Sequence, residues 1–172
     1  MTIQLLLLRH GDARDPGSGD DASRQLSAFG ETQARVQGMA LKLLGMFPET
    51  ILVSPLVRAR QTAEIVQHVI GCGTISLSEH LTPSSDHRNI IREVNALGMD
   101  RILLVGHEPH LSALISLLVT GSRAAQIEME KGSLACVGVS AQLKFGDGTL
   151  EWILPAAESL ALLGSSRPFE SL

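Results

Sequence analysis

Four residues of this sequence have the types and neighbours that phosphoryl transfer requires, and two of them are adjacent. Arg9, His10 and Gly11 follow one another. A neutral imidazole is a competent nucleophile toward phosphorus and forms a covalent phosphohistidine that water later hydrolyses. A neighbouring arginine lowers the pKa of the imidazole and attracts the phosphate, and a glycine lets the backbone approach closely. The tripeptide indicates His10 as a nucleophile, although an Arg-His pair at a strand end is also common on surfaces.

Arg58 and His107 supply the other two charged or polar groups. Arg58 is predicted in the first turn of a helix, where a cation faces the positive end of the helix dipole at a cost of about 0.3–1 kcal/mol, and a bound anion would reverse that sign. Arg60 is expected to face solvent. His107 stands between Gly106 and a helix start, where backbone N–H groups can cradle oxyanions. In its protonated form it would donate to a phosphoryl oxygen and offset transition-state charge.

Three short apolar runs stop against these residues. They cover residues 3–8, 51–53 and 102–105, and none alternates with polar positions. Such runs are typical of strands covered on both faces, as in parallel sheets, where ligands bind outside the carboxyl ends of the strands. We therefore expect two arginines and two histidines at one edge of a sheet.

The rest of the chain shows four helical patterns and three further strands. Ser27 is predicted to cap a helix that ends near Gly45 and buries one side, and Ser54-Pro55 is predicted to start a second helix that ends near Ile70. Further helices are predicted over 86–97 and 109–119, and strands over 74–77, 133–139 and 150–154, the last two as a hairpin around residues 146–148. Residues 12–25 are predicted to form a loop, and 1–172 a single domain in which 155–172 is a loosely packed tail. The candidates for the buried side of the first helix are Ala28, Ala34, Met39, Leu41 and Leu44.

Composition limits the partners and the compartment. The net charge is -4 and the pI is about 5.8, which argues against nucleic acid as a main partner. The first apolar run is too short for a signal peptide or a membrane span. Cys72 and Cys136 lack a metal or redox spacing and are expected to be plain thiols in a reducing cytoplasm.

A metal site is the sharpest chemical alternative. The motifs His10-x-Asp12 and His107-x-x-His110 could be written as a ligand set. However, the two arginines would repel a cation at the same edge, and Pro109 disturbs helical pairing of the second motif. We therefore expect neither metal nor cofactor, with His110 on a helix face. The remaining histidines, His68, His80 and His87, are expected at the surface.

Three segments together resemble a known family. They are Leu-Arg-His-Gly at 8–11, Ser-Pro-Leu-Val-Arg-Ala-Arg-Gln-Thr-Ala-Glu at 54–64 and Val-Gly-His-Glu-Pro at 105–109. In this order, over roughly residues 3–120, they resemble the histidine phosphatase superfamily, the phosphoglycerate mutase-like group. The small size and the opening at residues 9–13 are most similar to its SixA-type phosphohistidine phosphatases, and residues 26–30 resemble the family's Leu-Thr-x-x-Gly helix start.

The resemblance implies both a fold and a set of roles. The fold is a three-layer αβα sandwich with a mostly parallel central sheet and an antiparallel strand near its C-terminal edge. His10 would be the nucleophile, and Arg9, Arg58 and His107 would act with it as catalytic residues. The phosphate-binding positions implied are Arg9, Gly11, Arg58, His107 and Glu108.

The length of one connection suggests the kind of substrate. Larger relatives carry an insertion that covers the site and often supplies a glutamate as general acid, but only about thirty residues separate Ile70 from Ile102 here. An open, shallow pocket suits a phosphate displayed on a protein. An imidazole leaving group, with a pKa near ~6.5, needs little protonation help. Asp12 is a candidate acid or water-positioning group, whereas Asp86 and Glu108 on the rim are more simply solvated carboxylates.

The sequence thus predicts a metal-independent cytoplasmic phosphatase acting through phospho-His10. The expected substrate is phosphohistidine on a signalling protein, such as a histidine-containing phosphotransfer domain of a two-component phosphorelay. Two alternatives stay open at this point. One is hydrolysis of small phosphate esters or of phosphoserine and phosphothreonine. The other is a catalytically silent phosphate-binding adaptor domain, and neither nucleic acid nor a membrane is expected as a partner.

Overall fold

A six-stranded sheet forms the centre of the part of the chain that the computed structural model describes, residues 3–17, 19–140 and 142–164. The strand order is β3-β2-β4-β1-β5-β6. The first four strands in that order are parallel, β5 runs antiparallel to β1, and β6 runs antiparallel to β5. The predicted sheet, with its antiparallel strand near the C-terminal edge, is confirmed. The strands are β1 Ile3–Arg9, β2 Thr50–Val53, β3 Thr74–Leu77, β4 Arg101–Gly106, β5 Leu134–Val139 and β6 Thr149–Leu154.

Helices cover both faces of the sheet, which confirms the three layers. Leu5 and Leu7 of β1 belong to a core shared with α3 and α4, whereas Leu6 and Leu8 belong to a second core shared with α1 and α2. Because successive side chains of a strand point to opposite faces, an unbroken leucine run supplies both cores. The helices are α1 Ala28–Leu43, α2 Val57–Ile70, α3 His87–Leu97, α4 His110–Thr120 and α5 Ala156–Gly164.

The register of the three central strands brings their carboxyl ends level. Leu8 pairs with Val105, and Val105 pairs in turn with Val53. The pairing continues one step past the strands, because the N–H of His10 donates to the Gly106 carbonyl at 3.0 Å and the N–H of Ser54 donates to the Val105 carbonyl at 3.0 Å. The residues that follow β1, β2 and β4 therefore meet at one edge, as the three apolar runs predict.

The helix starts agree with the sequence in one case and differ in another. Ser27 caps α1, and its side chain accepts the Gly30 N–H. Ser54-Pro55 precedes α2 as predicted, but the capping position is Leu56, whose side chain makes no capping hydrogen bond. The Ser54 hydroxyl accepts the Leu56 N–H at 3.4 Å and lies 2.7 Å from His107 Nε2. Arg58 still lies in the first turn of α2, and Arg60 is exposed as predicted.

The prediction of a loosely packed tail is wrong for residues 156–164, which form α5. This helix packs against α1, and the buried Ser159 hydroxyl donates to Gln37 at 3.0 Å. A short helix of this kind is stabilised by tertiary packing more than by its own helix propensity. The sequence of this segment alone therefore did not predict it. Residues 165–172 lie outside the described residues.

Two expectations from composition can be compared with the structure. Cys72 and Cys136 are both free thiols, as predicted. No helix within the described ranges is long and apolar enough to cross a bilayer.

Candidate active site

The ring of His10 is held in a single tautomer. Its Nδ1 lies 2.7 Å from the Gly11 carbonyl oxygen. Because a carbonyl can only accept, Nδ1 carries the proton and Nε2 of the neutral ring carries the lone pair. Arg58 confirms that polarity, since its Nε–H donates to His10 Nε2 at 3.2 Å. The nitrogen free to attack phosphorus is therefore Nε2, and it already faces a guanidinium.

Burial keeps this ring uncharged. His10 is 7% exposed, and its pKa is lowered to about 4, chiefly by desolvation. The hydrogen bond to Gly11 opposes this effect, and the positive charges of Arg58, Arg9 and Lys131 add to it. The predicted influence of Arg9 is present but secondary, because loss of water around the imidazole is the largest cause.

Arg58 is the buried cation of the site. Its three guanidinium nitrogens are all engaged: Nε with His10, Nη1 with the Asp21 carbonyl at 2.7 Å, and Nη2 with the Asp21 carboxylate at 3.1 Å. Asp21 belongs to the 3₁₀ turn Asp21–Ser23 in the loop after β1. Sequence reasoning missed Asp21 because 37 positions separate it from Arg58, and a Gly- and Asp-rich loop carries no periodicity that would single it out.

His107 lies across from His10, with ring centroids 4.9 Å apart and planes tilted by 55°. Its Nε2 is 2.7 Å from the buried Ser54 hydroxyl, and its Nδ1 is buried without a partner among the described residues. The expectation of a protonated His107 does not hold for this state, because burial, then His10 and Arg58, lower its pKa to about 3. Ser54, predicted as a helix cap, is instead the hydroxyl that holds this imidazole.

Arg9 contributes a second positive charge close to His10. Its Nη1 donates to the Met129 carbonyl at 2.8 Å, and its charge lies beside Glu108 and Glu130. Burial lowers the pKa of the guanidinium and the two carboxylates raise it. Glu108 itself accepts the Ser112 N–H at 3.0 Å in the first turn of α4. The phosphate-binding role expected for Glu108 stays a prediction.

Gly11 allows a close backbone contact within the protein. A Cβ at Gly11 would lie 2.5 Å from the Gly30 carbonyl oxygen, and a Cβ at Gly30 would lie 2.0 Å from the Asp12 carbonyl oxygen. The first turn of α1 and the loop after His10 thus touch backbone to backbone. The Gly11 N–H donates to the buried Thr62 hydroxyl at 3.2 Å, so this N–H has a partner within the protein. The phosphate-binding role expected for Gly11 stays a prediction.

The carboxylate of Asp12, a candidate acid or water-positioning group, is bound by two neighbouring side chains. Lys131 contacts one carboxylate oxygen at 2.7 Å, and the Ser27 hydroxyl donates to the other at 2.7 Å. These two hydrogen bonds lower the pKa of Asp12, so the group is ionised near neutral pH. Asp86 caps α3 and pairs with Arg88 at 2.9 Å, in line with the solvated carboxylate expected there.

The other histidines differ in part from expectation. His87 is buried and not at the surface, and its ring stacks on His110 with centroids 4.1 Å apart. His87 Nε2 lies 2.9 Å from the His110 carbonyl and its Nδ1 lies 3.2 Å from Arg123, so this pair forms a second buried cluster. Within the described ranges, no group of three or more histidine, cysteine or acidic side chains is arranged to hold a metal ion.

The arrangement combines a neutral nucleophilic nitrogen with oxyanion-binding donors. Arg58 hydrogen-bonds the His10 ring, and the His107 ring lies 4.9 Å from it, centroid to centroid. Arg9 is close enough for its charge to lower the pKa of His10. Three groups absent from the sequence-based set, Asp21, Ser54 and Thr62, hold these side chains or their backbone.

A family model describing the histidine phosphatase superfamily (branch 1) matches residues 5–82. That segment includes most of β1, all of α1 and α2, and both His10 and Arg58. Over this segment the chain is similar to the histidine phosphatase superfamily, and the similarity supports phosphatase activity.

Relatives and solved structures agree with this assignment. The phosphohistidine phosphatase SixA of Escherichia coli (strain K12) is 28% identical over 154 residues, covering 87% of this chain and 92% of its own. A solved structure of the protein histidine phosphatase SixA complexed with tungstate superposes with a TM-score of 0.80 at 27% identity, over 90% of this chain and 98% of that one. A shorter match, 36% identical over 66 residues, is to the serine/threonine-protein phosphatase Pgam5 of Drosophila virilis, covering 38% of this chain and 22% of that protein.

Proposed function

We propose that this phosphatase works without a metal through a phosphohistidine intermediate on His10, and that it removes phosphate from phosphohistidine on a signalling protein. The observation that carries the mechanism is the state of His10: Nδ1–H is bound to Gly11, and the Nε2 lone pair lies against Arg58. The similarity to SixA proteins supports the substrate class.

In the first step, the Nε2 lone pair of His10 attacks phosphorus, and the bond from phosphorus to the leaving group breaks with its electron pair going to that group. The Arg58 Nε–H, which occupies Nε2 in the free protein, transfers its hydrogen bond to a phosphoryl oxygen. Arg9 and His107 add donors for the other oxygens. The N–H bond to the Gly11 carbonyl stabilises the positive charge that the ring gains.

In the second step, water attacks phosphorus and the bond to Nε2 breaks. His10 leaves as a neutral imidazole because Nδ1 has kept its proton throughout, and the water proton passes to phosphate or solvent. A neutral imidazole is a good leaving group, which is also why phosphohistidine is an undemanding substrate in a site without a dedicated acid.

Two carboxylates in the segment after His10 support this choice of substrate. Asp12 and Asp21 both have lowered pKa values and are bound to cations, so neither stands ready to protonate an alkoxide. An ester would need that proton, whereas a phosphorylated imidazole needs far less help.

The experiment compares three substrates: a histidine-phosphorylated phosphotransfer domain, a phosphoserine peptide and a sugar phosphate. We expect kcat/KM to be highest for the phosphohistidine domain, with labelled phosphate trapped on the protein by an alkaline denaturing quench, since the P–N bond of phosphohistidine is labile in acid. His10→Ala should abolish turnover and trapping. His68→Ala, which changes an exposed histidine, is the matched control and should leave both unchanged.

The outcomes separate the alternatives. Trapped label with a preference for phosphoserine or sugar phosphate would retain the mechanism and reject the substrate. Binding of phosphate without turnover would indicate an adaptor domain. Full activity in His10→Ala would reject the mechanism.

A further inference from the structure

The carboxylate of Asp21 contacts the buried guanidinium of Arg58, which donates to the His10 ring. The Asp21 side chain is 62% exposed, while that of Arg58 is 7% exposed. Asp21 contributes two acceptors, its backbone carbonyl to Nη1 at 2.7 Å and its carboxylate to Nη2 at 3.1 Å. An exposed loop residue thus binds a buried cation through main chain and side chain together.

These two contacts leave the face toward His10 available. A guanidinium carries five N–H groups, one on Nε and two on each terminal nitrogen. Asp21 takes one from each terminal nitrogen, and Nε–H points to His10 Nε2. Phosphoryl oxygens can therefore bind Nε–H and a second N–H while Asp21 remains in place. Asp21 therefore holds the terminal nitrogens of Arg58 while Nε–H stays directed at His10.

Asp21 is itself held in position. Its second carboxylate oxygen accepts from Arg24 Nη1 at 3.2 Å. Arg24 also donates to the carbonyls of Arg14 and Ala13, at 2.8 and 3.3 Å. Each oxygen of the Asp21 carboxylate therefore meets a different arginine, and Arg24 ties the turn to the start of the same loop.

We propose that Asp21 is a positioning residue for phosphoryl transfer, which orients the Arg58 guanidinium so that its Nε–H is directed at the attacking nitrogen of His10. This role rests on the proposed function of His10 and Arg58. It gives the loop after β1 a part in binding phosphate without any contact between the loop and phosphate.

A competing role makes the opposite prediction. If the Asp21 carboxylate merely occupied the place of a substrate anion, its removal would strengthen oxyanion binding. Coulomb repulsion alone predicts the same direction, because the negative charge of Asp21 near an anion site disfavours the bound anion. A positioning role predicts weaker binding when the carboxylate is neutralised, so the sign of the change decides between them.

The test measures tungstate affinity by calorimetry and steady-state kinetics on the phosphohistidine domain, in full-length wild type, Asp21→Asn, Asp21→Glu and Asp20→Asn. Asp20→Asn is the matched control, since it makes the same charge change one residue away, and the Asp20 side chain makes no capping hydrogen bond to the turn. We expect Asp21→Asn to weaken tungstate binding about tenfold and to lower kcat roughly ten- to a hundredfold, because a misplacement of about 1 Å can cost about 100-fold in rate. Asp21→Glu should recover part of both losses, and Asp20→Asn should match wild type.

Equal or tighter tungstate binding by Asp21→Asn would overturn the proposal, as would an Asp21→Glu variant no better than Asp21→Asn. A fall in Asp20→Asn as large as in Asp21→Asn would assign the effect to loop charge and also overturn it. The two hypotheses fail separately. Absence of turnover by wild type would reject the proposed function, while the tungstate comparison would still report on the hold of Asp21 on Arg58.

Discussion

The most direct prediction concerns the charge of His10 on acidification. An imidazole in water has a pKa near ~6.5, whereas His10 has a pKa lowered to about 4. Lowering the pH from about 7 to about 5 would leave only about 3% of an ordinary histidine neutral, but about 90% of His10. The difference in pKa corresponds to about 3 kcal/mol against the charged ring. The nucleophile should therefore persist at a pH where a solvated imidazole would be lost.

Proton NMR of the ring gives the measurement without depending on turnover. The C2–H shift of His10, assigned by its loss in His10→Gln, should show no midpoint between about pH 5 and 8. Arg58→Met should raise the midpoint only part of the way toward ~6.5, because burial exceeds the arginine charge as the cause of the low pKa. A wild-type midpoint near ~6.5 would refute the assignment of a buried neutral nucleophile. A full return to ~6.5 in Arg58→Met would refute the ranking of its causes.

Three further predictions follow from the packing. Gly30→Ala should lower kcat/KM by roughly 100-fold, since the new Cβ would lie 2.0 Å from the backbone of the loop after His10 and must displace it. Ser54→Ala should lower stability by about 1–3 kcal/mol in a urea titration, because it leaves the buried Nε2 of His107 without its partner. Stability should fall between about pH 6.5 and 4, by up to about 4 kcal/mol per pH unit for His10, His107 and His110 together, since these rings take up protons in the unfolded chain before they do in the folded one.

Each of these has a control in the same part of the molecule. Thr32→Ala changes an exposed residue two positions along α1 from Gly30 and should leave kcat/KM unchanged. Unaltered activity in Gly30→Ala would show that the contact between the two backbones does not position His10. Unaltered urea unfolding in Ser54→Ala would show that the hydroxyl is dispensable, and stability that stays level from pH 6.5 to 4 would contradict the buried neutral histidines.

The central sheet could be predicted because strands that are buried on both faces consist of unbroken runs of apolar residues. Strands β1, β2 and β4 are almost wholly apolar, and polar residues start where the strands stop. The buried face of α1 was harder to predict. Ala34 and Leu41 are buried as predicted, but Ala28, Met39 and Leu44 are exposed.

The reason is that α1 contacts two other helices through small and polar residues. A Cβ at Gly38 would lie 2.8 Å from Val69 of α2, so the two helices approach closely there. Gln37 is buried because its amide donates to the carbonyls of Gly132 and Leu154. A buried glutamine with distant partners looks in the sequence like an exposed one. The contact between α1 and α5 also involves Gln37, which accepts from Ser159, so the apolar residues of α1 did not indicate a helix packed there.

The site shows the same division between groups that a motif reveals and groups that only the fold reveals. Arg9, His10, Arg58 and His107 stand at strand or helix ends, where their types are informative by themselves. Asp21, Ser54 and Thr62 are ordinary residues whose importance comes from one long-range hydrogen bond each or, for Asp21, two to a single partner. The spacing of residues along the sequence does not indicate which distant residues form these hydrogen bonds.

A site without a covering insertion has to be ordered by other means, and here the segment from Asp12 to Gly30 provides them. One end of it lies backbone to backbone against the loop after His10, through Gly11 and Gly30. Its middle binds the far side of Arg58 through Asp21. The same segment therefore positions both the backbone next to His10 and the arginine that contacts the His10 ring.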